Sequence, residues 1–415
     1  MTKQPYRLGP NGQPPTILPH SLAKQEVLRS YLQAYFRTLA VNPRQDALKL
    51  TLVDGFAGWG TYTSLINGDI VTGSPLIMLD ATEKASVALN ENRTKPLNLD
   101  VDYYFVEKDK DAYTFLNTQL ADRGYGPMIG TEVQMLHSPF EKVAPGIIKS
   151  IQQKTPRVGR SIFLLDQYGY KDVDTQLVRT ILTTLPRSEV ILTFNVDSLL
   201  TFANNDKPLQ LNKISLPDPL KGRSIQEIKE NESDWRLWIQ CALYPNLIAA
   251  CGAMFYTLFY IRSPGGYGCY WLIHMSQHPI ARDVMTNTHW DNYNYFVHYG
   301  GPGLDMLTAV GYDPDNDNRL FGFDDSAKVK CLEALRDQIP TAIYSNADGI
   351  RFRDLYLSTC NHTPATVRLY KDAIGGLIAD NCLTVKGDNG SMRRSPMQIK
   401  DDDLLIVPRQ VRLFY

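Results

Sequence analysis

The sequence of 415 residues contains few cysteines, no paired cysteine motif and no long apolar run. Its six cysteines are scattered without a CxxC pair, which argues against a disulfide framework and against a zinc site. The N-terminus lacks the continuous apolar stretch of a signal peptide, and no segment reaches the roughly 20 apolar residues that span a bilayer. These absences predict a cytoplasmic protein with no metal site and no membrane association.

An excess of charge of one sign is also missing, because 43 Lys and Arg nearly balance 44 Asp and Glu. The formal net charge of −1 argues against a chain that coats nucleic acid, although a local basic face remains compatible with it. With 43% apolar and 21% charged residues, the composition is that of a globular protein. The length predicts two or three domains.

Apolar segments alternate with amphipathic ones over the first half of the chain. Five strands without polar alternation, separated by helical patterns, predict a parallel α/β sheet covered on both faces. Two further apolar strands joined by Pro-Gly-Gly predict a closing antiparallel hairpin, an order typical of class I methyltransferase sheets. The segment 61–73 is interpreted as an irregular polar loop. Ser74 as N-cap and Pro75 at the first helical position predict the next helix.

The pattern changes near Asp325, where three predicted helices precede two strands around a Gly-Asp-Asn-Gly turn. This is the plan of a winged-helix domain. Thr363 is predicted as the N-cap of its third helix, with Pro364 at the first helical position. The predicted domains are an N-terminal arm (1–19), a Rossmann-like domain (20–290) with a helical insertion (198–252), a connector (291–324) and a winged-helix domain (325–415).

A glycine-rich loop follows the first buried strand. Glycines allow a ligand to approach the backbone, and ligands of open α/β sheets bind at the carboxyl ends of the strands. The loop therefore predicts a cofactor site, with a plain tight turn as the alternative. No Gly-Lys-Ser/Thr follows, which excludes a P-loop. The predicted cofactor residues here are Asp54, Gly55, Phe56, Ala57 and Gly58.

Polar residues at the ends of further strands complete the predicted site. Glu107 ends the second strand, where an acid can accept hydrogen bonds from both ribose hydroxyls, although a solvated acid is the alternative. Ser138, after the third strand, is predicted to face the adenine of the cofactor, with a backbone role as the alternative. After the fourth strand, Asp166 is predicted to accept a hydrogen bond from a target amine and Tyr168 to stack on a flat substrate. A turn built by Asp and Gly is the alternative for this segment.

Basic residues of the winged-helix segment could meet nucleic-acid phosphates. The segment 325–415 has 13 Lys and Arg against 11 Asp and Glu, so its basic excess is only two. The run Asp401-Asp402-Asp403 would repel DNA, so a protein partner is as well supported as nucleic acid. The predicted nucleic-acid contacts are Arg368, Lys371, Arg393 and Arg394.

Several short motifs together resemble the three-Cys-motif partner proteins. They are the N-terminal helix with Lys24, VDGFAGWGTY, the GSP at 73–75, FVEKD, LLDQYGY, ILTFN and LIHMSQHPIARDVM. The resemblance covers most of residues 20–290. It implies a methyltransferase-like Rossmann fold of bacteria or phages and a partner with three cysteines similar to radical-SAM enzymes. Trp59 and Gln167 stand where the family usually has proline.

The leading hypothesis is a methyltransferase that uses S-adenosylmethionine (SAM) to methylate a nitrogen of a nucleic-acid base, working with such a partner. One alternative is a non-catalytic subunit, whose Rossmann-like domain binds a nucleotide or, if Trp59 fills the crevice, nothing, and whose winged helix docks the three-Cys enzyme or DNA. The other is a nuclease-like defence enzyme that uses Asp54, Glu107 and Asp166 as metal ligands.

Overall fold

A computed structural model describes residues 6–9, 12–196, 211–218, 220–232, 235–261, 270–292, 296–299, 302–304, 320–321, 323–344, 346 and 348–408. The chain divides into two compact units, residues 1–288 and residues 289–415, and each is described by itself. Among the described residues, no helix combines the length and the apolar character needed to cross a membrane.

The first unit is built on a mixed sheet with helices between successive strands. Its strands are β1 (Thr16–Ile17), β2 (Ala47–Asp54), β3 (Thr61–Ser64), β4 (Ile70–Thr72), β5 (Asn98–Glu107), β6 (Val133–His137), β7 (Ser161–Leu165), β8 (Ser188–Asn195), β9 (Phe255–Ile261) and β10 (Tyr270–Ser276). Its helices are α1 (Pro19–Leu39), α2 (Ser74–Asn90), α3 (Lys110–Leu120), α4 (Phe140–Lys154), α5 (Thr175–Thr184), α6 (Ile225–Asn231) and α7 (Trp235–Cys251), and α8 (Pro279–Asp291) follows where the unit ends.

The strand order within this unit is β9-β10-β8-β7-β2-β5-β6. The pairs β5–β6, β2–β5, β2–β7 and β7–β8 are parallel, whereas β10 runs antiparallel to both β8 and β9. This order confirms the predicted class I methyltransferase-type sheet. Its central strand β7 is buried along its whole length, as expected where helices cover both faces. The Pro-Gly-Gly turn between β9 and β10 lies outside the described residues.

The prediction of an irregular loop over 61–73 is wrong, because β3 and β4 pair there as an antiparallel hairpin. Gly68 adopts φ +75° and its N–H donates to the Ser64 carbonyl oxygen (2.9 Å), so Asn67-Gly68 closes the turn. β1, from the N-terminal arm, pairs in parallel with β3. The arm is therefore part of a small sheet beside the glycine loop.

Two helix starts also differ from the prediction. The N-cap of α2 is Gly73, and Ser74 is already the first helical residue. In the second unit, the N-cap of the helix predicted from Thr363 is Thr366. The Thr363 hydroxyl instead accepts the N–H of Ala365 (3.1 Å), a local turn that delays the helix by one turn.

The second unit contains the predicted winged-helix plan, which is confirmed. A buried apolar stripe on its first helix, including Leu335 and Ile339, packs against the third helix. Three short strands form the wing sheet, in the order β13 (Ile350–Arg351), β15 (Leu404–Ile406) and β14 (Thr384–Lys386). The elements are the antiparallel pair β11 (Phe296–Tyr299) and β12 (Leu320–Phe321), then α9 (Asp325–Tyr344), β13 (Ile350–Arg351), α10 (Phe352–Thr359), α11 (Val367–Ala379), β14 (Thr384–Lys386) and β15 (Leu404–Ile406).

Candidate functional site

A cavity of about 810 Å³ opens at the carboxyl ends of β2, β5 and β7. Its volume lies in the range of 300–1,000 Å³ that is usual for ligand and cofactor sites. Five of the predicted site residues line it: Phe56, Gly58, Glu107, Asp166 and Tyr168. The structure thus brings both predicted catalytic residues and three of the predicted cofactor residues into one place.

Glu107 holds the glycine loop in position. The N–H of Gly58 donates to one of its carboxylate oxygens (2.8 Å), and the N–H of Asp109 donates to the other (2.7 Å). Each oxygen keeps a lone pair, so the carboxylate can also accept two ligand hydroxyls. Gly58 has φ +62°, and a Cβ at this position would lie 2.4 Å from the hydroxyl of Tyr62. Both the conformation and the close approach require glycine here.

Gly55 and Ala57 attach the loop to the sheet on both sides. The N–H of Gly55 donates to the carbonyl of Leu164 at the end of β7 (2.9 Å). The N–H of Ala57 donates to the carbonyl of Val106 at the end of β5 (2.9 Å). These two residues fix the loop rather than line the large cavity.

The crevice stays open beside Trp59, contrary to the alternative in which this side chain fills it. The indole is buried and packs edge-on against the ring of Phe115 on α3, with centroids 5.7 Å apart. The main-chain N–H of Trp59 donates to the hydroxyl of Tyr62 (3.2 Å). Trp59 is therefore a wall of the cavity and not its occupant.

Asp54 is a buried carboxyl group beneath the loop. The N–H of Phe56 donates to its Oδ1 (3.0 Å), whereas Oδ2 is buried without a hydrogen-bond partner. Burial raises the pKa of Asp54 to about 7, although the Ser74 side chain and the Phe56 N–H act in the opposite direction. Burial therefore makes negative charge on Asp54 costly, and a cation nearby would offset that cost.

Lys24 enters the site from α1. Its Nζ lies 2.5 Å and 2.7 Å from the two carboxylate oxygens of Asp166, and 5.6 Å from the ring centroid of Tyr270. The sequence marks Lys24 only as part of a family motif, because a contact between α1 and the end of β7 has no local signal. The ion pair fixes the orientation of the Asp166 carboxylate.

Two buried polar side chains beside Asp166 were not predicted as site residues. Gln167 accepts the N–H of Asp172 through Oε1 (3.0 Å), and its Nε2 is buried without a partner. Thr193 on β8 lines the same cavity, and its hydroxyl is also buried without a partner. Their sequence signals are a glutamine in place of the family's proline and a lone hydroxyl in an apolar strand.

Tyr168 and Ser138 lie at the margins of the site. The Tyr168 side chain is 61% exposed at the cavity wall, as a residue that meets an incoming substrate would be. Ser138 lines a neighbouring cavity of about 60 Å³, which shares Phe56 and Glu107 with the large one. Its hydroxyl donates to the carbonyl of Pro139 (3.2 Å).

The described residues contain no group of three or more His, Cys, Asp or Glu arranged to hold a metal ion. Asp54, Glu107 and Asp166 therefore do not form the metal centre that the nuclease alternative requires, and the ammonium of Lys24 already neutralises Asp166.

The basic residues predicted to contact nucleic acid differ in their surroundings. Arg393 makes a two-pronged ion pair with the buried Asp403 (2.8 Å and 2.9 Å). Lys371 lies 5.3 Å from the ring centroid of Phe352, and Arg368 lies 3.9 Å from Asp372. Arg394, the remaining predicted contact, is exposed.

A family model matches part of the second unit. Residues 311–390 match the model of the GMT-like wHTH domain. Among curated proteins, none matches the chain.

The solved structures that resemble the chain do so remotely. A Legionella pneumophila protein is 11% identical over 61% of this chain and 85% of its own, with a TM-score of 0.33. A putative methyltransferase of Escherichia coli is 11% identical over 66% of this chain and 98% of its own, with a TM-score of 0.27. A plantazolicin methyltransferase solved with S-adenosylhomocysteine (SAH) is 11% identical over 62% of this chain and 85% of its own, with a TM-score of 0.25. Such similarities carry no argument about activity, and the fold assignment rests on the strand order.

Proposed function

We propose that the chain binds SAM in the large cavity and transfers its methyl group to a nitrogen atom. The observation that carries this proposal is the position of the cavity, between Glu107 at the end of β5 and Asp166 after β7. On this sheet, that edge is where open α/β folds bind their ligands.

The residues on the β2 and β5 side fit the cofactor. Glu107 has two lone pairs to accept the ribose hydroxyls, and the loop at Gly58 lets the backbone approach. The buried carboxyl of Asp54 favours a ligand with positive charge. When bound, SAM supplies an electrophilic methyl group on a sulfonium. In this proposal Ser138, in the adjoining small cavity, meets the adenine.

The residues on the β7 side fit the acceptor. Asp166 would accept a hydrogen bond from the target N–H, and Lys24 would keep its carboxylate in one orientation. The exposed ring of Tyr168 would stack on a flat acceptor. Methyl transfer depends mainly on alignment of the reacting atoms, so positioning can supply much of the rate.

We further propose that the acceptor is an amino group of a base in DNA or RNA, and that a three-Cys-motif, radical-SAM-like protein is the partner. The exposed Tyr168 supports a flat base, since a base flipped out of a duplex could stack on it. The motif resemblance supports the partner.

The non-catalytic reading has one observation in its favour. Lys24 engages both oxygens of Asp166, so the target amine must share an occupied carboxylate. In this reading the cavity binds a nucleotide and the winged helix docks a partner.

Calorimetric titration with SAM and with its demethylated product, S-adenosylhomocysteine (SAH), tests the proposal. We expect both to bind, and Glu107→Ala to weaken binding at least about tenfold, since it removes acceptors for two hydroxyls. Glu26→Ala, an exposed acid on α1, is the matched control and should not change binding. Absence of binding by folded wild-type protein would contradict the proposed function.

A further inference from the structure

The cavity holds two polar groups, one after β7 and one on β8, that the proposed reaction does not yet use. Gln167 Nε2 and Thr193 Oγ1 belong to side chains that are each 1% exposed, and neither atom has a hydrogen-bond partner among the residues that the structure describes. Both residues line the large cavity. A buried donor left unpaired is destabilising, so two such groups that line a cavity are suited to hydrogen-bond a ligand there.

The position of these groups follows from the sheet. β7 and β8 are parallel with Leu165 opposite Leu192, so Asp166 and Thr193 are the next residues along neighbouring strands. Thr193 in turn faces Leu272 of β10, which also lines the cavity. Thr193 therefore lies on the opposite side of Asp166 from Glu107, whereas Gln167 directly follows Asp166 in the chain.

The amide of Gln167 and the carboxylate of Asp166 are each held in one orientation. The Oε1 of Gln167 accepts the N–H of Asp172, which fixes the amide plane and leaves Nε2 as a donor. The neighbouring Asp166 is an acceptor fixed by Lys24. A ligand that meets Asp166 and Gln167 together must offer a donor beside an acceptor.

We infer that Gln167 and Thr193 form a subsite that recognises a hydrogen-bond acceptor adjacent to the reacting amine. This inference rests on the proposed function and specifies its substrate. The matching chemistry is an amidine or amide edge, in which the amino group and a ring nitrogen or a carbonyl share one carbon. Amino-substituted heterocycles and primary carboxamides both present this edge.

Binding of defined probes to SAH-saturated protein tests the inference. It also distinguishes amino-substituted heterocycles from primary carboxamides. Adenosine and cytidine represent the heterocycles, and N-acetylglutamine amide represents the carboxamides. Gln167→Glu keeps the Oε1 that accepts the Asp172 N–H and replaces the Nε2 donor by an acceptor. Thr193→Val removes the hydroxyl at nearly constant shape. Thr257→Val is the matched control, since this buried hydroxyl on β9 also has no partner but does not line the cavity.

We expect at least one probe to bind to wild type. Gln167→Glu should weaken its binding about tenfold or more, and Thr193→Val about threefold or more. Thr257→Val should bind it as tightly as wild type does. If adenosine binds, 1-deazaadenosine, which lacks the adjacent ring nitrogen, should bind about tenfold more weakly to wild type and equally to wild type and Gln167→Glu. If SAH binds but no probe binds with a Kd below about 10 mM, or the control variant loses as much affinity as Thr193→Val, the inference is wrong. Failure of SAH itself to bind overturns the proposed function instead.

Discussion

Lys24 Nζ lies 2.5 Å and 2.7 Å from the two carboxylate oxygens of Asp166, although the residues are 142 positions apart in the chain. The contact joins the first long helix to the end of the central strand β7. It places a cation and an anion in the wall of one cavity, so the acceptor side of the site depends on the packing of α1.

We predict that this ion pair contributes more to stability than an exposed pair does. Its side chains are 13% and 31% exposed, so solvent screens the attraction less than at the surface. A double-mutant cycle of Lys24→Met and Asp166→Asn, measured by urea unfolding, should give a coupling energy of about 1–2 kcal/mol. The cycle of Lys95→Met and Asp46→Asn, an exposed pair, should give a smaller coupling energy because solvent screens this attraction. Equal couplings would contradict the prediction.

We predict that Gly58→Ala weakens SAM binding at least about tenfold and destabilises the protein by about 2–3 kcal/mol. The new Cβ requires the φ of +62° and would meet the Tyr62 hydroxyl at 2.4 Å, which displaces the loop that Glu107 holds. Gly68→Ala is the control, because Gly68 has φ +75° but open space around it. That variant should lose only about 1 kcal/mol and keep its affinity for SAM.

The pKa of Asp54 predicts how stability changes with pH. Burial raises it from 3.8 to about 7, so the folded state binds the proton more tightly than the unfolded state. The stabilisation from protonated Asp54 is complete below the unfolded pKa and is lost as pH rises through about 7. Relative to wild type, Asp54→Asn should therefore gain stability between pH 5 and pH 8, by a few kcal/mol at most. If the free energies of unfolding of wild type and Asp54→Asn differ by the same amount from pH 5 to pH 8, the carboxyl of Asp54 is ionised throughout that range and the prediction is wrong.

The same titration bears on the cofactor. Ionised Asp54 favours a cation, so the affinity for SAM should fall as pH drops below about 7. Asp54→Asn should lose this pH dependence. Calorimetry at pH 6, 7 and 8 measures both, and a wild-type affinity that is constant over this range would contradict a role of Asp54 in holding positive charge.

In the winged-helix domain, we predict that Arg393 stabilises the fold while Arg394 is available to a ligand. Arg393→Ala removes both hydrogen bonds of this ion pair from the buried carboxylate of Asp403 and leaves it the N–H of Lys400, so the variant should unfold at a clearly lower urea concentration than wild type at pH 7. The neighbouring Arg394→Ala should cost less than about 0.5 kcal/mol. Arg393 lowers the pKa of Asp403, so its contribution is present above the unfolded pKa and should vanish as pH falls through the lower folded value. Equal losses at pH 7 in urea unfolding would refute the assignment.

The sheet could be predicted from the sequence because its strands are apolar runs with little polar alternation, a local signal. Glu107 and Asp166 were predicted because the ends of parallel strands meet at one edge. The hairpin of β3 and β4 was missed although Asn67-Gly68 is a strong turn signal, since its strands have only four and three residues.

Other features depend on packing between distant segments. The contact of Lys24 with Asp166 and the burial of Gln167 and Thr193 in one cavity need the whole sheet to be assembled first. The open crevice depends on Trp59 packing against α3, which no spacing in the loop encodes. These are the features that bear most on the acceptor side of the site.

A crystal structure of the protein with SAH tests the central claim most directly. The account predicts that both ribose hydroxyls lie within hydrogen-bond distance of Glu107, and that the sulfur points towards Asp166. SAH bound elsewhere, or a cavity that stays empty at saturating SAH, would contradict it.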